Sequence, residues 1–554
     1  MSKPVTVTFL GGLGEVGRNC TAIESDGKIL VIDFGLMFPD ESMPGVDVIL
    51  PDDRYLRERA DSIEALIITH GHEDHVGGVS HFLKEFQAPL YGSALTMGIA
   101  AHKVDEAGLA ARTSINVVGD GERRQIGPFD VEFLPITHSV PQSMCVVVHS
   151  PQGVLVHTGD FKLDFTPVDD RLTDLGRLGE LSRDGGIRLL MADSTNADAP
   201  GFSASETTVG ETLRRLFPEL RGRRIITSCF ASHLHRVQQI VDVAIDEGRT
   251  IFPLGRSMVN NIRIAGDLGV LDLPERHVRP IEEVNDHDPS KVCVLCTGSQ
   301  GEQFAALSLM AKGDHRDISI GDNDTVIMSS HPIPGNEHPV FMVMNALVRR
   351  GAEVIHSGQD HVHTTGHAKR DELRILQSIA KPEYFCPIEG EYRMLRRHAD
   401  LAVDLGLAED HALVAVDGNQ IVLTDDNASL NKGVPHEYRY VHGNGENLDP
   451  GVLGERLNLA DGGVVVVSIT VDMDERDIVA GPTVASKGWA TDAELDELVP
   501  ALEKELARSI GGALTDKSVD VDELERIARR ATGRFVSDKT RRRPPILAVV
   551  QSTV

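Results

Sequence analysis

One run of side chains constrains this chain more than any other feature: THGHEDH, residues 69–75 (the histidine-rich run), which directly follows the apolar stretch Ala65–Ile68. Imidazole and carboxylate suit zinc, and they must be deprotonated and converge on one point to bind it. A buried strand would deliver His70 to its own end, and the loop would bring His72, Asp74 and His75 to the same point. Neighbouring Asp74 and His75 cannot easily face one ion together with both earlier histidines, which favours two ions over a merely solvated, histidine-rich turn.

Two further segments end in a similar way. One is Phe133–Ile136, which leads through Thr137 to His138, and the other is Val154–Val156, which leads to Asp160. A carboxylate at the end of such a strand can bridge two cations at the separation of roughly 3.5–4 Å found in two-metal hydrolytic sites. Each segment alone is only a polar strand end, but with the histidine-rich run they complete a set of ligands.

The length of the chain predicts several domains, and the pattern near residue 12 excludes a dinucleotide-binding site. At 554 residues it is too long for one core, so we expect roughly two to four domains. The sequence GLGEVG at 12–17 matches the dinucleotide-binding pattern, which requires a helix next. Strand candidates at 20–24 and 29–32, joined by an Asp26-Gly27 turn, predict a hairpin instead.

The predicted secondary structure changes after about residue 206. Residues from about 206 to 360 alternate between helix and strand patterns, which predicts an α/β module with a parallel sheet. Residues 440–455 are rich in Gly, Asn and Asp and suit a linker. The tail predicts a small α/β domain with a helix over 493–509 that is broken or kinked at Pro500.

Composition limits the partners less than it first suggests. The net charge of −29 argues against nucleic acid, because phosphate binding depends on Lys and Arg, but clusters at 221–224, 393–397 and 541–543 could form a positive channel. No stretch approaches the roughly 18 apolar residues of a membrane span. The six cysteines are scattered, Cys293 and Cys296 fit a buried strand, and the cytoplasm is the expected compartment.

The histidine-rich run has the H-x-H-x-D-H pattern of the metallo-β-lactamase superfamily, which this part of the chain resembles. The resemblance implies two zinc sites: His70, His72 and His138 at the first, Asp74 and His75 at the second, and Asp160 between them. On these residues alone, a glyoxalase-like thioester hydrolase or a lactamase fits as well.

The middle of the chain narrows the choice. SCFAS at 228–232, TGSQGE at 297–302, IPGNE at 333–337 and HTTGHA at 363–368 resemble the β-CASP insertion of nucleic-acid-processing members. With GEYRML at 390–395 and RRPP at 542–545, the whole chain resembles the ribonuclease J family. The implied fold is α/β: a metallo-β-lactamase αββα sandwich (1–205 and 365–440) interrupted by a β-CASP α/β domain (206–364), then a linker (441–455) and a small α/β C-terminal domain (456–554).

One position departs from the family pattern. The family carries a histidine, a ligand of the second zinc, just before Gly-Glu-Tyr-Arg, and this chain carries Glu389. A carboxylate is a harder donor and shifts the preference toward Mn²⁺ or Mg²⁺. We therefore expect two divalent ions, Zn²⁺ foremost, with Mn²⁺ or Mg²⁺ as alternatives at the second site; the other interpretation is that Glu389 binds no ion.

The expected chemistry is phosphodiester hydrolysis. A metal pair activates water and neutralises the scissile phosphate. Asp74 is expected to orient that water, and His367, which the resemblance places across the cleft, to act as the general acid. Two loops rich in small residues suit an anion nest, with an ordinary tight turn as the alternative. The resemblance implies that RNA phosphates, including a 5′-monophosphate, contact Ser228, Phe230, Ala231, Ser232, His331, His363, Thr364, Thr365, Gly366 and His367.

These inferences predict a cytoplasmic, metal-dependent ribonuclease that acts 5′→3′ and internally in RNA decay and in rRNA and mRNA maturation. We expect it to prefer 5′-monophosphorylated RNA, to form a homodimer or homotetramer, and to have no membrane partner. The alternatives are a weakly active or non-catalytic partner subunit, a DNA-directed β-CASP nuclease, and a small-molecule lactamase or thioesterase. The insertion argues against the last, and the intact histidine-rich run argues against the first, although Glu389 lends the first some weight.

Overall fold

The computed structural model describes residues 3–40, 42–302, 304–333, 336–443 and 445–553. Pro334 and Gly335, from the motif at 333–337, lie outside the described residues. The chain divides into two compact units, one of Met1–Phe38 and Ile49–Arg439 and the other of Pro39–Val48 and Tyr440–Val554. Across the described ranges, we find no helix with the length and apolar character needed to cross a lipid bilayer.

The first unit contains two large mixed sheets (the sandwich). In spatial order, the strands of the first sheet are Ala428–Lys432, Asn419–Leu423, Val5–Gly11, Cys20–Ser25, Lys28–Ile32, Ile63–Ile67, Leu90–Gly92 and Ile115–Val117. Those of the second sheet are Tyr384–Ile388, Ile187–Asp193, Gly153–His157, Met144–Ser150, Phe129–Pro135 and Glu122–Ile126. A short parallel ladder joins Leu13–Gly14 to Gly390–Glu391.

The core of the sandwich follows from alternating side chains in strands that are buried on both faces. In strand Met144–Ser150, Val146 and Val148 belong to the cluster that also contains Val7 and Phe9 of the first sheet. Val147, which points the other way, belongs to a cluster formed with helix residues. Because both faces are covered, these strands read as continuous apolar runs.

Helices cover the sandwich and its connections. The α-helices are Arg54–Arg57, Glu73–Val76, Val79–Glu85, Ala94–Glu106, Leu175–Arg183, Arg370–Ala380 and Tyr392–Asp404. Short 3₁₀ turns occur at Ala60–Ser62, Ala110–Arg112, Glu275–His277, Ile281–Asp286, Pro289–Lys291 and Glu409–His411. The Asp26-Gly27 turn joins two paired antiparallel strands, so the predicted hairpin is present and the dinucleotide motif is not followed by a helix.

The inserted module is the parallel α/β layer that the sequence predicts. Its strands, in spatial order, are Thr250–Leu254, Val292–Cys296, Arg224–Ser228, Asp324–Met328 and Glu353–His356, all pairing in parallel. Its helices are Glu206–Glu219, Leu234–Asp246, Arg256–Asp267, Ala306–Lys312 and Glu337–Arg349. Cys293 and Cys296 are buried in the strand and unpaired, as expected of core residues.

The second unit corrects two expectations. Its strands are Glu446–Leu448, Val464–Asp472, Asp477–Lys487 and Ile546–Ser552, together with parts of Val48–Leu50 and Arg439–His442. Its helices are Pro450–Gly462, Asp492–Leu514 and Val521–Thr540. The segment predicted as a linker therefore contains strand and helix. The helix Asp492–Leu514 also runs through Pro500 without the break that was one of the two expectations, because Asp496, whose carbonyl loses its partner, is exposed to water. Buried Leu502, Leu506 and Ile510 hold the helix beyond it.

Candidate metal centre

The polar side chains of the centre lie where parallel strands end. Three parallel strands of the second sheet finish close before Asp160, at Asp193 and just before Glu389. Two parallel strands of the first sheet finish just before Asp33 and close before His70. Because the carboxyl ends of parallel strands share one edge of a sheet, they bring residues that are distant in sequence into one crevice.

The first ligand cluster consists of His70, His72, His138 and Asp160. His72 Nδ1 lies 3.0 Å from His70 Nε2 and 3.1 Å from His138 Nε2. Asp160 Oδ2 lies 3.5 Å from His70 Nε2 and 3.7 Å from His138 Nε2. Three imidazole nitrogens and one carboxylate oxygen thus face a common point, which is the donor set that zinc prefers.

The second ligand cluster consists of Asp74, His75, Asp160 and Glu389. His75 Nε2 lies 3.1 Å from Asp160 Oδ1, 3.6 Å from Glu389 Oε2 and 3.8 Å from Asp74 Oδ2. Asp160 therefore presents one oxygen to each cluster. The structure brings together every residue that the sequence proposed as a metal ligand, including Glu389, which the alternative interpretation left outside.

The state of Asp160 tests whether these residues fit two cations. Its side chain is about 1% exposed, and neither carboxylate oxygen accepts a hydrogen bond from the described residues. Burial raises the pKa of Asp160 well above its usual range. The His75 imidazole, 3.1 Å from Asp160 Oδ1, does not offset the cost of burying this carboxylate, and cations on both of its oxygens would remove that cost. The residues present therefore fit a pair of divalent ions with Asp160 between them.

Asp33 orients the His75 ring of the second ligand cluster. Its Oδ2 accepts a hydrogen bond from His75 Nδ1 at 2.8 Å, which leaves His75 Nε2 to face the second cluster. Asp33 also accepts hydrogen bonds from the Thr69 amide and hydroxyl, each at 2.8 Å. Asp33 and Glu389 both adopt left-handed backbone conformations, with φ of 60° and 54°. Such conformations are disfavoured for these residues and commonly occur at functional sites.

Gly366 fixes the third histidine of the first cluster. His138 Nδ1 donates to the Gly366 carbonyl at 2.8 Å, so His138 Nε2 remains free to face the cluster. A Cβ atom at Gly366 would lie 2.6 Å from His138 Cε1. The loop can therefore approach the imidazole this closely only with glycine, and the carbonyl fixes the tautomer.

The two clusters differ in protonation. Burial, reinforced by the neighbouring imidazoles, lowers the pKa of His70, His72 and His138 well below the usual range, so these rings are in the neutral, metal-binding form. Burial also lowers the pKa of His75, but the surrounding carboxylates, Asp160 foremost, outweigh it and raise that pKa well above the usual range. A cation among the same carboxylates would displace the His75 proton.

His367 lies beside the centre with one nitrogen committed. Its Nδ1 donates to Asp193 Oδ2 at 2.8 Å, and its Nε2 lies 4.0 Å from Asp160 Oδ2. Burial lowers the pKa of His367, but the charge and hydrogen bond of Asp193 outweigh it and raise this pKa to about 10. His367 therefore presents a protonated Nε2 toward the ligand clusters.

The residues predicted to contact phosphate fall into two groups. The His331 and His363 rings stack in parallel with centroids 6.5 Å apart, and the buried His363 Nδ1 has no hydrogen-bond partner in the described part of the chain. Phe230 lies beside the first cluster, with its ring centroid 6.5 Å from that of His72. The first group is completed by the neighbouring loop residues, buried Ser228 and partly buried Ala231 and Ser232.

The second group already has internal partners. The Thr364 hydroxyl donates to the Ala204 carbonyl at 2.9 Å. The Thr365 hydroxyl accepts from the Asn196 amide at 2.9 Å and from the His367 backbone N–H at 3.2 Å. The Gly366 carbonyl accepts from His138, so the loop formed by Thr364, Thr365 and Gly366 supports the histidines of the centre.

Sequence reasoning missed three residues of this site. Asp33 and Asp193 each end a buried apolar strand, which is the same signal that points to Asp160. Asn19 gave no such signal, because it lies in a loop after a glycine-rich segment. Only the folded chain shows its amide 3.1 Å from both His75 Nε2 and Glu389 Oε1.

Asp33→Asn is expected to weaken binding of an ion at the second cluster by about 10- to 100-fold, the usual effect of losing a supporting carboxylate. Asparagine retains the shape and tolerates the left-handed backbone, but it cannot hold His75 as a charged acceptor does. Titration of the chelator-treated protein with Mn²⁺ measures the effect. Asp26→Asn, at an exposed turn position with φ of 55°, is the matched control, and equal affinities in both variants would contradict the role of Asp33.

Comparison with known proteins covers nearly the whole chain. The family models that match are "Metallo-beta-lactamase superfamily" at residues 13–201 and "Ribonuclease J, beta-CASP domain" at 222–347. "Zn-dependent metallo-hydrolase RNA specificity domain" matches 354–414, and "Ribonuclease J C-terminal domain" matches 451–553. A crystal structure of a protein of unknown function from Enterococcus faecalis V583 aligns with a TM-score of 0.51 at 16% identity, over 76% of this chain and 100% of that chain, a likeness of fold alone.

Full-length relatives are more specific. The chain is 37% identical over 548 residues to Ribonuclease J 1 of Streptococcus pyogenes, covering 99% of this chain and 97% of that protein. It is 39% identical over 553 residues to Ribonuclease J of Mycobacterium tuberculosis, again covering 99% and 97%. The fold class and the resemblance drawn from the sequence are confirmed. At this identity over almost the whole of both proteins, the chain belongs to the ribonuclease J family.

Proposed function

We propose that this protein is a metal-dependent ribonuclease that hydrolyses RNA phosphodiester bonds at the two ligand clusters. The observation that carries the proposal is the buried Asp160, which presents one oxygen to each ligand cluster beside a protonated His367. The names of the relatives and the match to an RNA specificity domain support RNA as the substrate. A lactamase or thioesterase is not favoured, because neither explains the inserted module.

Two divalent ions are proposed as cofactors, with His70, His72 and His138 holding Zn²⁺, Asp74, His75 and Glu389 holding the second ion, and Asp160 shared. When bound, the ions supply positive charge that activates water and neutralises the scissile phosphate. The chain contributes the geometry: Asp33 and the Gly366 carbonyl fix the ring orientations of His75 and His138. Asp74, whose side chain is 28% exposed, is the ligand that reaches water and orients it.

His367 is proposed as the general acid. Asp193 holds its Nδ1–H, so the proton available for the leaving oxygen is the one on Nε2, which faces the centre. A raised pKa keeps this proton in place at neutral pH. The imidazolium of His367 would be repelled by cations in the two ligand clusters, which would bring its pKa down toward the working range and ease the transfer.

The 5′ end of the RNA is proposed to lie against the first of the two groups of predicted phosphate-contacting residues, which is formed by His331, His363 and the 228–232 loop. Burial lowers the pKa of His363 well below its usual range, so its ring is neutral and its unpartnered Nδ1 offers a hydrogen bond rather than a charge. A 5′-monophosphate held there directs cleavage from the 5′ end, while internal cleavage uses the same centre without that contact.

Assembly is proposed to use the C-terminal unit. Its outer strand Ile546–Ser552 buries Ala548 and Val550 but leaves Leu547 and Val549 56% and 42% exposed. Apolar side chains on one face of a sheet are typical of a surface that is covered by a partner. We propose a homodimer or homotetramer acting in the cytoplasm.

The function is tested with a 5′-monophosphorylated RNA oligomer labelled at its 5′ end, beside a 5′-hydroxyl RNA and a DNA of matched sequence. We expect release of labelled mononucleotide that requires divalent metal. The 5′-hydroxyl RNA should react at least about tenfold more slowly, because it lacks a charge-assisted hydrogen bond worth roughly 1.5–3 kcal/mol. Equal cleavage of the DNA would make the protein a general β-CASP nuclease, and binding of RNA without cleavage would make it a partner subunit.

A further inference from the structure

Asn19 is held rigidly against the second ligand cluster. Its backbone N–H donates to the Asp74 carbonyl at 3.0 Å, and its carbonyl accepts from Gly35 N–H at 2.9 Å. Its side chain packs against Gly12, where a Cβ atom would lie 2.1 Å from Asn19 Oδ1. The amide therefore has little freedom to leave the cluster.

The Asn19 amide gives the two oxygens of the Glu389 carboxylate different roles. Asn19 Nδ2 donates to Glu389 Oε1 at 3.1 Å, which engages that oxygen. Glu389 Oε2, 3.6 Å from His75 Nε2, is the oxygen left to face an ion. Glu389 is only 2% exposed, so it cannot turn into solvent. Asn19 thus presents Glu389 as a ligand through one oxygen.

The two clusters offer different chemistry to a cation. The first provides three imidazoles and one carboxylate, whereas the second provides one imidazole and three carboxylates. Imidazole-rich sets suit Zn²⁺, and carboxylate-rich sets suit harder ions. Mg²⁺ prefers oxygen ligands and keeps several of its waters, so the imidazole of His75 favours Mn²⁺ over Mg²⁺.

We propose that Glu389 selects Mn²⁺ at the second ligand cluster and that Asn19 is the positioning residue for that selection, so that the centre holds one Zn²⁺ and one Mn²⁺. The inference rests on the proposed two-ion ribonuclease centre and assigns the ion of its second half. Because Glu389 is negatively charged and a histidine ligand would be neutral, the metal-loaded centre carries one positive charge less than it would with histidine at 389. Its attraction for the RNA phosphate is weaker as a result.

The test uses the full-length protein, treated with chelator and then loaded from a mixture of Zn²⁺ and Mn²⁺. Mn²⁺ is supplied in large excess over Zn²⁺ in this mixture, because Zn²⁺ binds more tightly than Mn²⁺ to most nitrogen and oxygen sites. Elemental analysis should find zinc and manganese in equal amounts. Because Zn²⁺ is diamagnetic, electron paramagnetic resonance should show the spectrum of an isolated Mn²⁺ ion, not of a spin-coupled pair. Glu389→His, which suits a left-handed position, should fill both clusters with zinc and lose the manganese signal.

Asn19→Ala should weaken Mn²⁺ binding by about tenfold or more while zinc at the first cluster stays unchanged. Asn431→Ala, on an exposed strand position, is the matched control. Glu389→Gln, which keeps the shape and removes the charge, tests the selecting role of Glu389 by its loss of manganese and does not depend on the folding of Asn19→Ala.

Zinc at both clusters of the unmodified protein, or unchanged manganese binding in Asn19→Ala, would overturn the inference. The proposed function would still stand in either case, because cleavage of RNA by a protein loaded with two zinc ions satisfies it. Failure of the function itself has a different signature: RNA is not cleaved with any metal, whatever the ion content.

Discussion

Replacing Asp160 with alanine is expected to abolish metal-dependent RNA hydrolysis and, at the same time, to stabilise the ion-free protein. Asp160 supplies one oxygen to each ligand cluster, so its loss should prevent the pair of ions from assembling. Metal ions contribute several kcal/mol of transition-state stabilisation, and about 4 kcal/mol corresponds to about a thousandfold in rate. Single-turnover cleavage of 5′-monophosphorylated RNA measures the loss.

The stability effect has the opposite sign because burial and the neighbouring Glu389 carboxylate outweigh the 3.1 Å contact of Asp160 with His75, as the raised pKa of Asp160 indicates. A buried polar group left unsatisfied costs about 1–3 kcal/mol, so Asp160→Ala should raise the free energy of unfolding of the chelator-treated protein by a comparable amount. Added metal should then stabilise the unmodified protein and leave the variant unchanged, because only a form that binds the ion gains from it. Urea unfolding with and without metal measures both effects.

Asp184→Ala is the control for this prediction, since Asp184 is exposed at the end of a helix of the sandwich. It should change neither activity nor metal-dependent stability. If Asp160→Ala were less stable than the unmodified protein without metal, the contact of Asp160 with His75 would outweigh the cost of burying the carboxyl group. Retained metal-dependent cleavage would remove Asp160 from the centre.

The ligands of the centre were predictable because the chemistry is concentrated in short segments. The histidine-rich run places three imidazoles and Asp74 within one loop, and a strand end delivers Asp160. A second strand end pointed to His138, and the family resemblance added His367, which no local pattern would have singled out. Sequence spacing thus identified most donors, because metal ligands must converge and strand ends are where convergence is possible.

What supports those donors was not predictable from local patterns. Asp33, Asp193 and Asn19 act through hydrogen bonds to residues 42, 174 and 370 positions away. Such pairs depend on the register between strands and on how two sheets face each other, and neither is encoded in a short motif. The break expected at Pro500 is absent for a similar reason, since tertiary burial outweighed the intrinsic preference of proline.

His367→Ala is expected to lower kcat for RNA cleavage by about 10²- to 10⁴-fold while both ions remain bound. The loss should appear in kcat more than in KM, because a proton donor acts in the transition state. Metal content measured beside the kinetics separates this role from ligation. Loss of an ion in His367→Ala would identify the residue as a ligand instead, which its 4.0 Å distance to Asp160 leaves geometrically open.

Dependence on pH distinguishes the same roles by sign. The pKa of His367 is raised, so the active protonated form is present at low pH and is lost as the pH rises through that pKa. Asp193→Asn keeps an acceptor for Nδ1 but removes the charge, so the alkaline limb of the rate profile should move to lower pH with metal content unchanged. An unmoved limb would mean that another group loses the proton, and His367 would then serve to hold the phosphate rather than to protonate the leaving oxygen.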